Sequence, residues 1–410
     1  MSDVKSSVSS KERSKRPWLY AYLLVLLMVA YVGMALILPL PTVMSNKRFI
    51  ASPAAKTVNI IWPSYGQTAV GAPGYGVLAS HGDSKPIPTA SIAKVLTALA
   101  VLKQHPLLKG QAGPVLTITA DDVANYQKYS QAAGSVVPVQ VGEQLTEYQA
   151  LQALLLPSAN NIADLLASWA FGSTSQYVSF ANLFAKSLGL DQTTVADASG
   201  FSSKTTSTAH DLVLLGENVV DNPVLAEIVG QPQATIPVAG VITNVNLLLG
   251  HQEIVGIKTG NTNEAGGCFM VAAKHVIDST HQIIVIAVTL GAPDLATAIN
   301  NTLPLLQSVY PNFQLTTLVP IGTVVGSYQA DWGAQAQVAT TTDVQGIIWK
   351  AAPPTVIVDL PSLSRAGNAT TTVGTVSATF GRQKVSSPVS PIRLPAASLR
   401  WRLSHPLSRL

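Results

Sequence analysis

A serine and a lysine stand three residues apart in the segment PTASIAKVLTA, where Ser91 precedes Lys94. A serine hydroxyl is a poor nucleophile until a neighbouring base removes its proton. Positions i and i+3 of a helix face the same side, so a helix that begins here would bring the amine to the hydroxyl. Lysine serves as that base only when burial or nearby positive charge lowers its pKa. The spacing is therefore compatible with a nucleophile and its base.

Two further motifs decide how this pair is interpreted. Four-residue patterns recur by chance, and for Ser91 and Lys94 taken alone a helix cap followed by a solvated lysine is the favoured interpretation. However, SAN follows Pro157 at residues 158–160, and KTG follows at residues 258–260, where an apolar strand is predicted to end. SAN alone could be a loop or a cap, and KTG alone a strand end with a turn glycine. The three motifs in this order favour catalysis, with Lys258 as the second positive charge near Lys94.

The helices that must position these motifs follow from apolar spacing and from capping residues. A helix is predicted from Ser91, and a second one begins near Thr146, because Thr146 and Gln149 have the spacing of a capping box. Pro157 interrupts it, since proline has no N–H to donate and clashes with the preceding turn. After Asn160 the spacing is helical again. The apolar stripes are Val95, Leu96, Leu99 and Leu102 in the first helix, and Ile162, Leu165, Leu166 and Trp169 in the third.

The strands are predicted at both ends of this helical region. The run VNIIWPSYGQTAVGAPGYGVLAS reads as two strands joined by turns, and VGIKTG, CFMVAAKHV and QIIVIAVTLGA read as three strands of a buried sheet. A helix interrupted by Pro304 follows. This order predicts one α+β domain whose sheet gathers both chain ends. Beyond about Pro320, short β-prone pieces separated by turn residues predict a small all-β domain of sandwich type.

An uncharged apolar run of 23 residues extends from Trp18 to Leu40. It exceeds the ~20 residues that a membrane-spanning helix needs. Basic residues precede it, which favours a cytoplasmic N-terminus and places the rest of the chain outside the plasma membrane. The alternative is a cleaved signal peptide, which the segment Ser52–Ala55 keeps open, although such peptides have a shorter apolar region.

The composition excludes several classes of protein. An apolar fraction of 47% with 11% charged residues argues against disorder. Basic residues exceed acidic ones only at the ends: residues 1–17 carry five against two, and residues 365–410 seven against none. This is not a nucleic-acid-binding pattern, although the basic C-terminal tail could contact an anionic surface. The single cysteine, Cys268, is expected to be buried and inert, and the seven histidines show no metal-ligand spacing, so neither a metal nor a cofactor is predicted.

SxxK, SxN and KTG in this order resemble the penicillin-recognising serine acyltransferases. The finer resemblance is to the low-molecular-mass penicillin-binding proteins, which are serine D-alanyl-D-alanine carboxypeptidases; it is carried by PIPTASIAKVLTALAVL, LLLPSANNIADLLA and GIKTGNTNEAGGCFMVAA. It implies an α+β, β-lactamase-like catalytic domain with a central antiparallel sheet. Together with the apolar run and the charge distribution, it gives the predicted organisation: a basic cytoplasmic tail (1–17), a transmembrane anchor (18–40), a linker (41–55), the catalytic domain (56–313), a sandwich-like β domain (318–392) and a basic tail (393–410).

The resemblance also implies a reaction and the residues that perform it. Ser91 would attack the carbonyl between the two terminal D-alanines of a peptidoglycan stem peptide, and β-lactam antibiotics would acylate the same hydroxyl. Lys94 would be the base, Ser158 would relay a proton to the leaving amine, and Asn160 would hold Lys94 and the substrate amide.

The third motif is implied to bind the substrate. Lys258, Thr259 and Gly260 would recognise the terminal carboxylate, a pairing that charge-assisted hydrogen bonds favour. The backbone N–H groups of Ser91 and Asn261 would form the oxyanion hole.

Three alternatives remain open to different degrees. A β-lactamase of the same fold needs a deacylating glutamate, and Glu217, Glu227 and Glu253 do not occur in a matching ExxLN pattern. A DD-endopeptidase would use the same residues in a different groove. A non-catalytic sensor of wall peptide or β-lactam would have lost a catalytic group, whereas all three motifs are intact.

Many relatives attach to the membrane by a C-terminal amphipathic helix. The C-terminal segment RLPAASLRWRLSHPLSRL is short and interrupted by proline, so it is a poor anchor.

Overall fold

The computed structural model describes residues 16–363, 373–391 and 393–405. The helices are α1 (Arg16–Ile37), α2 (Ala93–Gln104), α3 (Ala120–Gln131), α4 (Glu147–Leu155), α5 (Asn160–Phe171), α6 (Thr174–Ser187), α7 (Ala209–Asp221), α8 (Pro223–Val229), α9 (Leu295–Val309) and α10 (Leu399–Ser404), with 3₁₀ turns η1 (Ala90–Ile92) and η2 (Tyr310–Asn312).

The strands divide between a central sheet, a second sheet near the C-terminus and several short pairs. They are β1 (Met44–Lys47), β2 (Gln67–Ala72), β3 (Gly76–Gly82), β4 (Ile87–Pro88), β5 (Val115–Thr117), β6 (Gln144–Thr146), β7 (Thr206–Ser207), β8 (Gln233–Ile236), β9 (Gly240–Thr243), β10 (Ile254–Thr262), β11 (Gly266–Val276), β12 (Gln282–Ala292), β13 (Phe313–Val319), β14 (Val324–Gln329), β15 (Gln335–Thr340), β16 (Val344–Trp349), β17 (Thr355–Asp359), β18 (Gly374–Phe380) and β19 (Gln383–Pro391).

The central sheet is antiparallel and has the order β10-β11-β12-β2-β3. It joins strands from both sides of the helical region, which confirms the predicted α+β arrangement. One face packs against α7 and the helical region, and the other packs against α9. Cys268 is buried in β11, and burial raises the pKa of its thiol to about 11, in agreement with the predicted inert role.

The two strands predicted in the run VNIIWPSYGQTAVGAPGYGVLAS are present as β2 and β3, whereas the prediction that Pro304 interrupts the helix after β12 was wrong. The residues VNIIW lie outside the sheet, where Ile61 N–H donates to Ser308 Oγ of α9 at 2.9 Å and Trp62 packs on the core beneath that helix. These apolar residues therefore cover a helix instead of extending a strand. Pro304 does not interrupt α9, because the buried side chains of Leu305 and Leu306 after it continue to pack on the sheet.

The helical region buries α2 at its centre. Ten of the twelve residues of α2 are buried, and they include the predicted apolar stripe. The capping box predicted at the start of α4 is present, with Thr146 Oγ1 accepting from Gln149 N–H at 3.2 Å and the Gln149 side chain accepting from Thr146 N–H at 3.0 Å. The chain breaks at Pro157 and becomes helical again at Asn160, as predicted.

The C-terminal strands form a second body with its own core. Its sheet has the order β1-β14-β15-β19-β18-β17, and β13 and β16 form a separate pair beside it. Strand β1, which the sequence did not predict, lies within residues 41–55 and pairs with β14 from Met44↔Gln329 to Lys47↔Gly326. The segment after the apolar helix α1 is therefore part of the C-terminal sheet.

Candidate active site

Ser91 lies in a 3₁₀ turn that leads directly into the core helix. Turn η1 spans Ala90–Ile92, and α2 begins at the next residue. Ala90 has a positive φ of 47°, which an alanine rarely adopts, so the chain bends sharply just before Ser91. The predicted helix therefore includes Lys94 in its first turn, while Ser91 precedes it on the 3₁₀ turn. This geometry leaves Ser91 partly exposed and buries Lys94 completely.

The Lys94 amine has three oxygen partners. Its Nζ lies 2.8 Å from Ser91 Oγ, 2.7 Å from Asn160 Oδ1 and 2.9 Å from the carbonyl oxygen of Ser199. A neutral amine has two hydrogens and one lone pair. The Asn160 and Ser199 oxygens only accept, whereas the Ser91 hydroxyl also donates. The two hydrogens of a neutral Lys94 therefore go to Asn160 and Ser199, and its lone pair faces the proton of Ser91.

The surroundings of Lys94 favour that neutral form. Burial lowers its pKa well below the ordinary value, and the positive charge of Lys258 lowers it further. The carboxylates of Asp197 and Asp164 act in the opposite direction. Burial also lowers the pKa of Lys258 to about 7. Both shifts favour the neutral amine more than in an ordinary lysine, and a neutral amine is the form that can accept a proton.

The second motif lies at the break between α4 and α5. Ser158 has a positive φ of 68°, and its Oγ is buried without a hydrogen-bond partner among the residues described. A buried hydroxyl without a partner is rare, and such exceptions cluster at functional sites. Asn160 begins α5, and its backbone N–H donates to the carbonyl of Ser135 at 2.8 Å. Its side-chain oxygen Oδ1 faces Lys94 at 2.7 Å and accepts one hydrogen of the amine.

The third motif runs along β10, an outer strand of the central sheet, which packs against turn η1. A Cβ atom added to Gly260 would lie 3.0 Å from the Ser91 backbone nitrogen, so the strand approaches Ser91 this closely only with glycine there. Lys258 and Thr259 are buried, and Asn261 is exposed. All three sequence motifs therefore converge around Ser91.

Sequence reasoning missed the loop behind Lys94. The Ser199 carbonyl belongs to a segment that Asp197 holds, and Asp164 of α5 lies near the same lysine, where it accepts from the Tyr129 hydroxyl at 3.0 Å. Burial raises the pKa of Asp164. The local signal was the sequence Asp-Ala-Ser-Gly, in which an aspartate can accept from the backbone two residues on. Its relation to Lys94 needs the tertiary contact between residues 94 and 199.

Two of the three glutamates considered for β-lactamase chemistry have other partners. Glu217 is buried in α7 and pairs with Arg382. Glu227 accepts from the Tyr148 hydroxyl on α4 and pairs with Lys109 in the loop after α2. Within residues 16–363, 373–391 and 393–405, no three His, Cys, Asp or Glu side chains are grouped as a metal site would require.

Comparisons with known proteins show which proteins the chain is similar to. The chain is 34% identical over 204 residues to D-alanyl-D-alanine carboxypeptidase DacB2 of Mycobacterium tuberculosis, a match that covers 48% of this chain and 66% of that protein. It is 30% identical over 202 residues to a D-alanyl-D-alanine endopeptidase of Pseudomonas aeruginosa, which covers 48% of this chain and 62% of the relative. The matches thus span less than two thirds of either relative.

Among solved structures, penicillin-binding protein 5 of Haemophilus influenzae has the same fold. The TM-score is 0.58 at 18% identity, and the match covers 82% of this chain and 99% of that one. The family model described as D-alanyl-D-alanine carboxypeptidase, peptidase family S11, matches residues 70–294, more than half of the chain. The chain therefore belongs to the D-alanyl-D-alanine carboxypeptidase family.

Proposed function

We propose that this protein is a serine-type D-Ala-D-Ala carboxypeptidase that removes the terminal D-alanine from peptidoglycan stem peptides and is acylated by penicillins. The observation that carries the proposal is the arrangement of the Lys94 amine, whose two acceptors Asn160 and Ser199 leave its lone pair for Ser91. Family membership supports the same activity.

The reaction begins with transfer of the Ser91 proton to Lys94. The Ser91 oxygen bonds to the carbonyl carbon of the penultimate D-alanine, and the C–N bond to the terminal D-alanine breaks. The departing amine receives the proton from Lys94 through the hydroxyl of Ser158. Water then attacks the acyl-enzyme ester, and Ser91 recovers its proton as the shortened peptide leaves. No cofactor is needed, because every proton is exchanged among substrate, water and these side chains.

Substrate binding is assigned to β10. The positive charge of Lys258, with Thr259 and Gly260, pairs with the terminal carboxylate of the peptide. As the carbonyl oxygen becomes negative, the backbone N–H groups of Ser91 and Asn261 donate to it. Each such donor is worth about 10²–10³ in rate. The short distance between Gly260 and the Ser91 nitrogen supports this, since it brings the two backbone segments together.

A DD-endopeptidase that cuts peptide cross-links is the second candidate, because the relative from Pseudomonas aeruginosa carries that name. The same residues would act, and the amine leaving group would belong to a second peptide. A sensor that is acylated without turnover is the remaining alternative.

The proposed setting is the outer face of the plasma membrane. Helix α1 is apolar and long enough to cross a bilayer from Pro17 to Ile37. With a cytoplasmic basic N-terminus, residues 56–313 would form the catalytic domain and residues 318–392 the β domain outside the membrane. The partners would be the stem peptide, β-lactams and the membrane itself, with no nucleic acid.

The decisive experiment measures D-alanine release from a diacyl-Lys-D-Ala-D-Ala peptide by the full-length chain in detergent. The parent should release D-alanine and label with a fluorescent penicillin, Ser91→Ala should do neither, and Ser84→Ala, an exposed serine, should match the parent. Labelling of the parent without release would reject the carboxypeptidase. A cross-linked dimer of stem peptides then separates an endopeptidase, which cleaves it, from a sensor, which does not.

A further inference from the structure

A single carboxylate organises the loop behind Lys94. Asp197 Oδ2 accepts from the Ser199 hydroxyl at 2.7 Å, from the Ser199 N–H at 3.3 Å, from the Phe201 N–H at 2.9 Å and from the Ser202 N–H at 3.4 Å. Its Oδ1 accepts from the Thr205 hydroxyl at 2.5 Å. The carboxylate thus holds the backbone on both sides of the Ser199–Gly200 peptide, the peptide whose carbonyl faces Lys94.

That loop packs closely against the backbone just before Ser91. The Ser199 carbonyl lies 2.9 Å from Lys94 Nζ, and the next residue, Gly200, has a φ of 73°. A Cβ atom on Gly200 would lie 1.9 Å from the Ala90 carbonyl oxygen, immediately before Ser91. The loop therefore has little freedom to shift without moving either the lysine or the nucleophile.

The charges that face Lys94 come from three elements. Lys258 on β10 lowers the pKa of the lysine, whereas Asp164 on α5 and Asp197 in the loop raise it. Asp197 therefore has two separable effects, one through geometry and one through charge.

We propose that Asp197 is a positioning residue for acylation: by holding the Ser199 carbonyl on Lys94, it directs the amine lone pair at the Ser91 hydroxyl. The proposal rests on the function proposed above. Of the two oxygens that occupy the lysine hydrogens, Asn160 Oδ1 is part of a catalytic motif, and the Ser199 carbonyl depends on Asp197. Without that carbonyl, one hydrogen of Lys94 is free to turn toward Ser91, and the lone pair turns away.

The test uses the full-length chain in detergent with Asp197→Ala, Asp197→Asn and two controls, Asp278→Ala and Asp278→Asn. Asp278 is a matched control, because it also accepts hydrogen bonds from the backbone and a side chain of its own turn. That turn joins β11 to β12, whereas the KTG motif pairs with the other end of β11. For each protein the rate of labelling by a fluorescent penicillin, and kcat and KM for D-alanine release, are measured across pH.

Asp197→Ala should lose about 10–100-fold in labelling rate and in kcat with little change in KM, since a small misplacement of reacting groups costs this much. Asp197→Asn keeps an oxygen that can accept in the same place, so it should recover most of the rate. Because the negative charge is missing in Asp197→Asn, the pKa of Lys94 is lowered. The acid limb of the pH profile of the labelling rate should therefore move to lower pH. Both Asp278 variants should match the parent.

Either of two results would overturn the proposal. In the first, Asp197→Ala has the labelling rate and the acid limb of the parent. In the second, its labelling rate falls only in proportion to the folded fraction measured by thermal unfolding. The parent and Ser91→Ala are measured alongside. If the parent is active and the Asp197 variants have its rate, only the positioning role is rejected. A parent that neither labels nor releases D-alanine rejects the proposed function, and the positioning role with it.

Discussion

Arg382 of the C-terminal sheet pairs with Glu217, a buried carboxylate on helix α7 of the central domain. The residue lies in the β18–β19 turn, where its backbone N–H also donates to the Gly74 carbonyl at 2.5 Å. Nearby, the Tyr75 hydroxyl donates to the Ile347 carbonyl at 2.6 Å. The two bodies are thus joined by a charged pair, one side of which is shielded from water.

Arg382→Ala should destabilise the protein by about 1–3 kcal/mol, because it leaves the buried Glu217 carboxylate without its cation. Thermal unfolding of the full chain measures this. Lys384→Ala, in the same hairpin and exposed, is the control and should change little. In a Glu217→Gln background, Arg382→Ala should destabilise the protein less. An equal loss of stability in both backgrounds would show that the charge pair is not responsible.

The pH profile of kcat/KM should be bell-shaped. On the acid side, protonation of Lys94 removes the base. On the alkaline side, Lys258 loses the charge that binds the substrate carboxylate, and its pKa of about 7 places this limb near neutrality in the free enzyme. Lys258→Arg does not titrate in this range, so its alkaline limb should move to higher pH. If the limb stays in place in that variant, Lys258 is not the titrating group.

Asn160→Asp should slow acylation at neutral pH. The new carboxylate would lie within hydrogen-bond distance of Lys94, so it would raise the pKa of the amine and keep it protonated. The acid limb of the labelling rate should therefore move to higher pH, opposite to the shift expected for Asp197→Asn. Asn300→Asp, an exposed change on α9, serves as the control. A shift to lower pH would contradict the geometry described for Lys94.

Gly260→Ala should reduce the rate of Ser91 acylation by about 10–100-fold, since the added methyl group would push β10 away from the Ser91 backbone. The rate of penicillin labelling per folded molecule is the measurement. Gly33→Ala is a matched control, because that glycine has open space and an ordinary φ. Equal rates in both variants would mean that the strand can shift without disturbing the nucleophile.

The sequence by itself determined the elements whose signals are local. The apolar spacing of α2, the capping box at Thr146 and the proline break before Ser158 each depend on residues a few positions apart, so they could be predicted. The three motifs were recognisable for the same reason. The effect of Pro304 was misread because the packing of α9 on the sheet outweighed the local preference of proline.

Only the tertiary structure decided which groups meet across long separations. The Ser199 carbonyl reaches Lys94 over 105 residues, Arg382 reaches Glu217 over 165, and β1 joins a sheet formed almost entirely by the last hundred residues. A backbone carbonyl carries no residue-type signal, and a strand of four residues carries little. Such contacts are set by the packing of whole elements, because burial of apolar surface fixes where the polar groups between those elements come to lie.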